Sequence, residues 1–164
     1  MRLDTFNALP VTEAVTRLTG CCASPEWAGA LAAGRPYPDL DALLAQADAE
    51  LAVLDGSEID LALAGHPRIG ERLDPDDATH ASSQREQSGV ATADPSVLAA
   101  LAEGNRAYEE RFGHVYLVCA DGRSAEELLE VLRERLRHDP STERRTVVAE
   151  LARINEIRLR RLLE

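Results

Sequence analysis

A histidine followed directly by a proline, His66-Pro67, stands at the start of a polar stretch of the chain. A residue before proline disfavours helical geometry, so the preceding helix is predicted to end at this histidine. An imidazole held by such a stiff backbone is placed to enter a cleft, and histidine's ordinary pKa of about 6.5 suits proton transfer near neutral pH. A partly exposed histidine at a helix end is the alternative, and this dipeptide alone does not decide between them.

A hydroxyl, a carboxyl and an amide side chain follow at Ser83, Glu86 and Gln87. Their i, i+3, i+4 spacing brings the three side chains to one face of a helix. Such a face offers donors and acceptors to a small ligand dense in N–H and C=O groups. The same spacing also fits a helix capping box with Gln87 as a solvated neighbour, so both interpretations stay open.

Arg158 interrupts an apolar stripe in the last predicted helix. The stripe consists of Val147, Leu151, Ile154 and Leu162. A charge on such a stripe must be paired or must face a ligand cavity, where a guanidinium can hold a carboxylate through two hydrogen bonds. The alternative is an arginine that extends its charged end past the stripe into solvent.

The segment HVYLVCA, residues 114–120, is a continuous apolar and partly β-branched run. This pattern is typical of a buried extended segment, but no other part of the chain offers a matching strand. Its main-chain groups therefore need partners from helix ends, from water or from a polar ligand. An irregular connector packed between helices fits the pattern equally well.

Helix signals dominate the rest of the chain. Ser24-Pro25 and Asp94-Pro95 pair a capping residue with proline at the first helical position, and Ser124 with Glu127 forms a capping box. A last long helix is predicted to start at Ser141. The sequence therefore predicts a single all-α domain over residues 1–164, with about seven or eight helices and one short extended segment near 114–120.

Composition excludes several classes of function. The net charge of −11 disfavours nucleic acid and anionic membrane as partners. All 18 basic residues are arginine, which removes any Schiff-base mechanism that needs a lysine. No apolar run approaches the roughly 20 residues of a membrane span, and no signal peptide is recognised, so a cytoplasmic location is expected. Three cysteines, two of them adjacent, suit reduced thiols better than a disulfide framework.

Metal and hydrolase chemistry find weak support. His66, His80, His114 and Glu86 supply metal-binding groups, but none stands at a spacing typical of zinc sites. The chain also lacks a G-x-S-x-G elbow and a glycine-rich phosphate loop. Neither a metal nor a nucleotide cofactor is therefore expected.

Several motifs together resemble a known family, the 2-oxo-4-hydroxy-4-carboxy-5-ureidoimidazoline (OHCU) decarboxylases of urate breakdown. HPRIGER at 66–72 and SSQREQSGV at 82–90 are the most specific, and they look more like the bacterial branch than the animal or plant one. The remaining motifs are FNALP at 6–10, the CC pair with Trp27, Arg35-Pro36, YEERFGHVYLVCADGRS at 108–124 and ELARINEIRLRRL at 150–162. They cover nearly the whole chain. The loop from Leu73 to Ala81 lacks the tryptophan associated with many bacterial relatives.

The resemblance implies an all-helical homodimer that removes CO₂ from OHCU to give (S)-allantoin, without a metal or organic cofactor. It implies that His66 is the catalytic histidine, with Glu86 and Arg158 as further catalytic residues. Implied substrate contacts are Pro67, Ser83, Gln84, Arg85, Glu86 and Gln87, with the main chain of Tyr116, Leu117, Val118, Cys119 and Ala120. Arg158 would bind the substrate carboxylate or pair with Glu86, and the sequence leaves both open.

Two alternatives come from the same residues. The first is a cofactor-free lyase of the same fold that acts on another small ureido or imino acid. The second is a non-catalytic helical interaction module, which predicts an exposed apolar groove and gives His66, Glu86 and Arg158 no role. A panel of substrates with OHCU as reference distinguishes them.

Overall fold

The computed structural model describes residues 1–71 and 81–164. Over this part of the chain it contains nine α-helices and no strand, which confirms the all-α prediction. The helices are α1 (Leu3–Ala8), α2 (Val11–Thr19), α3 (Pro25–Ala33), α4 (Leu40–Val53), α5 (Gly56–Ala64), α6 (Ala81–Glu86), α7 (Pro95–Phe112), α8 (Ala125–Arg135) and α9 (Pro140–Leu162). The count exceeds the predicted seven or eight because α1 and α6 have only six residues each, too few to show a helical repeat.

The residues group into two compact units. The first comprises Met1–Gly65 with Leu151–Glu164, and the second comprises His66–Glu150. That the whole chain forms a single domain stays a prediction. Among the described residues, no helix has both the length and the apolar character needed to cross a bilayer.

Local capping explains where several helices begin. The Ser24 hydroxyl accepts a hydrogen bond from the Trp27 N–H at 3.1 Å, and the predicted capping box of Ser124 and Glu127 forms with both of its hydrogen bonds. α9 begins one residue earlier than predicted, because the cap is Asp139. Its carboxyl oxygen accepts from the N–H groups of Ser141 and Thr142, each at 3.0 Å.

In the first unit, α2 packs on α3 and α3 packs on α4. Trp27 is fully buried, and its indole N–H donates to the Ala47 carbonyl at 2.9 Å, so this large ring is packed without leaving a polar atom unsatisfied. The Arg35 guanidinium donates to the carbonyls of Phe6 and Leu9 at 2.7 and 2.9 Å and holds the start of the chain against α3.

In the second unit, α7 packs closely on α8 around buried Leu101, Tyr108 and Leu128. Gly104 of α7 makes this close approach possible. A Cβ atom at Gly104 would lie 2.6 Å from Cδ2 of Leu132, well inside normal contact distance. This helix pair supports the two non-helical segments on which the candidate site depends.

Candidate active site

The predicted helix end before His66 is confirmed. α5 ends at Ala64, and the next residue, Gly65, closes it by donating its N–H to the Leu63 carbonyl. His66 and Pro67 follow directly, and both are half-buried. The histidine therefore stands at the junction between a helix and a turn, where the backbone restricts its position.

A tight turn from Pro67 to Glu71 follows the histidine. We call it the HPRIG turn after the sequence of residues 66–70, which it overlaps. The Glu71 N–H donates to the Arg68 carbonyl at 3.2 Å, while the Glu71 carboxyl accepts from the Arg68 N–H at 3.1 Å. Gly70 has a φ of +81°, a left-handed conformation that glycine adopts without steric cost. The turn is thus closed by its own residues.

Side chains from later parts of the chain hold the HPRIG turn in place. The Gln87 side-chain oxygen accepts from the Gly70 N–H at 3.0 Å, and its amide nitrogen lies 3.4 Å from the Arg68 carbonyl oxygen. The Asn105 amide donates to the Ile69 carbonyl at 2.9 Å. The Arg68 guanidinium makes two hydrogen bonds with Glu109, of 2.6 and 3.0 Å. Gln87 therefore supports the turn in this structure, and its contact with a substrate stays a prediction.

α6 carries the predicted polar face. Ser83 and Glu86 are both buried, with exposed fractions of 5% and 7%, whereas Gln84 is half-buried and Arg85 is exposed. Ser83 is the third residue of α6, and its carbonyl accepts from the Gln87 N–H at 2.9 Å. The capping-box alternative is therefore wrong, since Ser83 lies inside the helix. Burial of a hydroxyl and a carboxyl is costly unless both are hydrogen-bonded. α6 therefore places two polar side chains where each requires a hydrogen-bond partner.

A cavity of about 410 Å³ lies beside the HPRIG turn and α6. Its volume falls within the range of small-molecule sites. Gln84 and Gln87 line it together with Gly70, Glu71, Val90, Ala91 and Leu98. Two predicted site residues, Gln84 and Gln87, thus line a cavity in the described part of the chain.

Within the predicted extended segment 114–120, residues 115–120 have neither helical nor strand hydrogen bonding, and Tyr116, Leu117, Val118 and Ala120 are buried. Its main chain finds several partners within the protein. The Leu117 carbonyl accepts from the Arg135 guanidinium at 2.6 Å, and the Cys119 N–H donates to the Glu150 carboxyl at 2.8 Å. Side chains of α8 and α9 thus satisfy groups that the sequence left without a partner.

A buried polar cluster centres on Arg135 and Glu143, which are 3% and 1% exposed. One Glu143 carboxyl oxygen accepts from two Arg135 nitrogens at 2.9 and 2.6 Å and also from the Tyr108 hydroxyl. The other lies 2.8 Å from Nδ1 of His138. Burial lowers the pKa of Arg135, but hydrogen bonding and the charge of Glu143 outweigh it and raise the pKa overall. Burial, followed by the bond to Glu143, raises the pKa of Tyr108.

Sequence reasoning missed this cluster, although a signal for it existed. Arg135 follows Leu128 and Leu132 at i, i+4, i+7 spacing, which places it on the apolar face of α8. As with Arg158, a charge on an apolar helix face indicates that Arg135 must be paired or must face a ligand cavity.

Arg158 is 8% exposed, and its guanidinium donates to the Cys21 carbonyl at 3.1 Å. The alternative of a guanidinium reaching solvent is wrong. The neighbouring Cys22 is a buried thiol, and burial raises its pKa, partly opposed by the main chain near Ser24 and by Asn155 and Arg158. The adjacent cysteines thus form part of the apolar packing and supply a carbonyl that orients Arg158.

No group of three or more His, Cys, Asp and Glu side chains within residues 1–71 and 81–164 is arranged to hold a metal ion. Of the residues considered for a metal, His80 lies outside the described part of the chain. The loop from Leu73 to Ala81 lacks the tryptophan associated with many bacterial relatives. Of this loop, the structure describes Ala81 alone.

Comparison with known proteins gives a consistent result. The sequence model of the OHCU decarboxylase family matches residues 7–160. The uric acid degradation bifunctional protein TTL of Arabidopsis thaliana is 30% identical over 87% of this chain, but the chain spans only 45% of that protein. The 2-oxo-4-hydroxy-4-carboxy-5-ureidoimidazoline decarboxylase of Amia calva is 31% identical, over 85% of this chain and 81% of that one.

A solved structure agrees with these relatives. A crystal structure of an OHCU decarboxylase in the presence of (S)-allantoin is similar with a TM-score of 0.77 and 27% identity. The similarity covers 88% of this chain and 95% of that chain. Assignment to the bacterial branch stays a prediction.

Proposed function

Because the chain belongs to the OHCU decarboxylase family, we propose that it decarboxylates OHCU to (S)-allantoin in the breakdown of urate. The observation that carries the proposal is the likeness, over nearly its full length, to an OHCU decarboxylase crystallised in the presence of (S)-allantoin. The buried Ser83 and Glu86 on α6, with the fastened HPRIG turn after His66, supply polar groups of the kind this substrate needs.

The chemistry suits a protein without lysine. The carboxylate of OHCU is attached to a carbon next to a C=N bond, so the electron pair released with CO₂ forms a C=C bond while the nitrogen of the C=N bond takes up a proton. The hydroxyl on the same carbon then loses its proton and becomes a carbonyl, while the carbon bearing the ureido group gains a proton on one face. The protein must therefore orient the substrate, stabilise charge and control one protonation.

We assign that protonation to His66, with Glu86 orienting the imidazole or adjusting its charge. Pro67, Ser83, Gln84 and Gln87, with the main chain of residues 116–120, would hold the ureido and ring amides. Arg85 is exposed, so its part would be limited to its main chain. Arg158 would bind the substrate carboxylate or pair with Glu86.

The test is the production of (S)-allantoin from freshly generated OHCU, followed by circular dichroism. We expect His66→Asn to lower the rate about 10²- to 10⁴-fold, the range of general acid–base catalysis, with an unchanged melting temperature. Glu86→Gln should also lower it, whereas Glu130→Gln, on the exposed face of α8, should not. A His66→Asn variant with wild-type turnover and product handedness would overturn the catalytic assignment.

The proposal extends to assembly and location. A homodimer is the form that the family resemblance implies, and a cytoplasmic location is proposed beside it. Light scattering of the purified protein across a concentration series tests the dimer, and a stable monomer that is fully active on OHCU would contradict it.

A further inference from the structure

The structure holds residues 115–120 at two points, with two charged side chains that the proposed chemistry does not use. Arg135 binds the Leu117 carbonyl at 2.6 Å, and Glu150 binds the Cys119 N–H at 2.8 Å. These two residues are 3% and 9% exposed. Charge-assisted hydrogen bonds of this length are among the stronger ones in proteins.

Arg135 is itself held firmly. Glu143 binds two of its nitrogens, and its guanidinium carbon lies 5.0 Å from the centre of the Tyr116 ring and 5.9 Å from that of Tyr108. A planar guanidinium fixed on its faces and edges has little freedom left to follow a moving carbonyl. The Leu117 carbonyl is therefore hydrogen-bonded to a guanidinium that is itself held in place.

The two contacts fall on alternate residues. The Leu117 carbonyl shares a planar trans peptide with the Val118 N–H, and the Cys119 N–H shares one with the Val118 carbonyl, so each Val118 group points away from its bound neighbour. Fixing the Leu117 carbonyl and the Cys119 N–H thus sets the direction of the Val118 main-chain groups.

We propose that Arg135 and Glu150 are positioning residues that hold the 115–120 main chain in the geometry that binds the substrate amides. Neither residue need touch the substrate; each acts through the backbone group it binds. The inference rests on the proposed function, because it assigns a purpose to the segment that the proposed function places against OHCU.

The experiment centres on Glu150→Gln, which keeps the size of the side chain and removes its charge. We expect the KM for OHCU to rise about tenfold with kcat within about twofold, since interactions shared by ground and transition states change KM alone. The affinity for (S)-allantoin, measured by calorimetry, should fall by a similar factor. Glu156→Gln is the matched control, because Glu156 is exposed on the same helix and bonded to Arg160 at the surface.

Amide hydrogen exchange of Cys119 in the free protein separates this inference from the proposed function. Exchange should accelerate in Glu150→Gln and stay at the wild-type rate in Glu156→Gln. If wild-type protein neither converts OHCU nor binds (S)-allantoin, the proposed function fails, while faster exchange still shows that Glu150 holds the segment. Unchanged Cys119 exchange, or unchanged KM and allantoin affinity in an active enzyme, would overturn the positioning role.

A second variant tests the other contact. Arg135→Lys keeps the charge and loses the planar fork, so KM should rise without a matching loss of kcat. A fall in kcat that follows the folded fraction, with KM unchanged, would mark Arg135 as structural only.

Discussion

The HPRIG turn and residues 115–120 are both non-helical parts of the second unit, yet they are held by different physical means. The turn depends on side-chain amides and on an ion pair between Arg68 and Glu109, whose side chains are 50% and 26% exposed. Residues 115–120 depend on the buried cluster of Arg135 and Glu143. Water competes for the Gln87 and Glu109 contacts of the turn and is excluded from the cluster of Arg135 and Glu143, so equal numbers of hydrogen bonds should contribute unequally to stability.

The largest effect is expected from Glu143→Ala. Removal of Glu143 leaves the buried Arg135 without its counter-charge, and breaking such a pair costs about 3–5 kcal/mol. Urea unfolding measures the change. Glu130→Ala on the exposed face of α8 is the control and should stay within about 0.5 kcal/mol of wild type. A loss below 1 kcal/mol for Glu143→Ala would remove the contrast between the two segments.

A smaller effect is expected from Gly70→Ala in the HPRIG turn. A Cβ at Gly70 meets only ordinary contacts, the nearest at 3.7 Å, so the cost comes from the left-handed φ of +81° and amounts to about 1–2 kcal/mol. Gly29→Ala provides the matched control, because Gly29 lies within α3 with no atom near a Cβ. There the same substitution should stabilise the protein by about 0.5–1 kcal/mol, so thermal melts should shift in opposite directions.

The smallest effect is expected from Glu109→Gln. This variant weakens the ion pair with Arg68 at the solvent-exposed side of the turn, while Gln87 and Asn105 still hold the main chain. The difference from wild type should disappear in about 1 M salt, where charges are screened within about 3 Å. Urea titrations at low and high salt provide the measurement, and a loss that persists at high salt would show that the pair acts as a buried one.

Local signals in the sequence predicted much of the fold, because capping and periodicity act within a few residues. Ser124 and Glu127 form their capping box as expected, and the helix before His66 ends where the proline requires it. α1 was not foreseen, since a helix of six residues repeats its apolar positions too few times.

For the candidate site, the sequence could predict which side chains share a helix face, but not what those side chains contact. Spacing correctly indicated that Ser83 and Glu86 share a face, but a face does not identify its partners. Glu150 accepts from a main-chain N–H 31 positions away and Arg158 donates to a carbonyl 137 positions away, and no pattern of residue types marks the main-chain group that a side chain will bind. Such contacts are set by tertiary packing.

Glu143 and Glu150 stand seven residues apart on α9, close to two full turns. One completes the buried ion pair, and the other fixes the Cys119 main chain. Removing a single residue between them would rotate one carboxyl about 100° around the helix axis relative to the other, so that both could not face their partners. Chain length in this interval is therefore under stricter constraint than the identity of its outward-facing residues, and insertions or deletions there should be far less tolerated than substitutions.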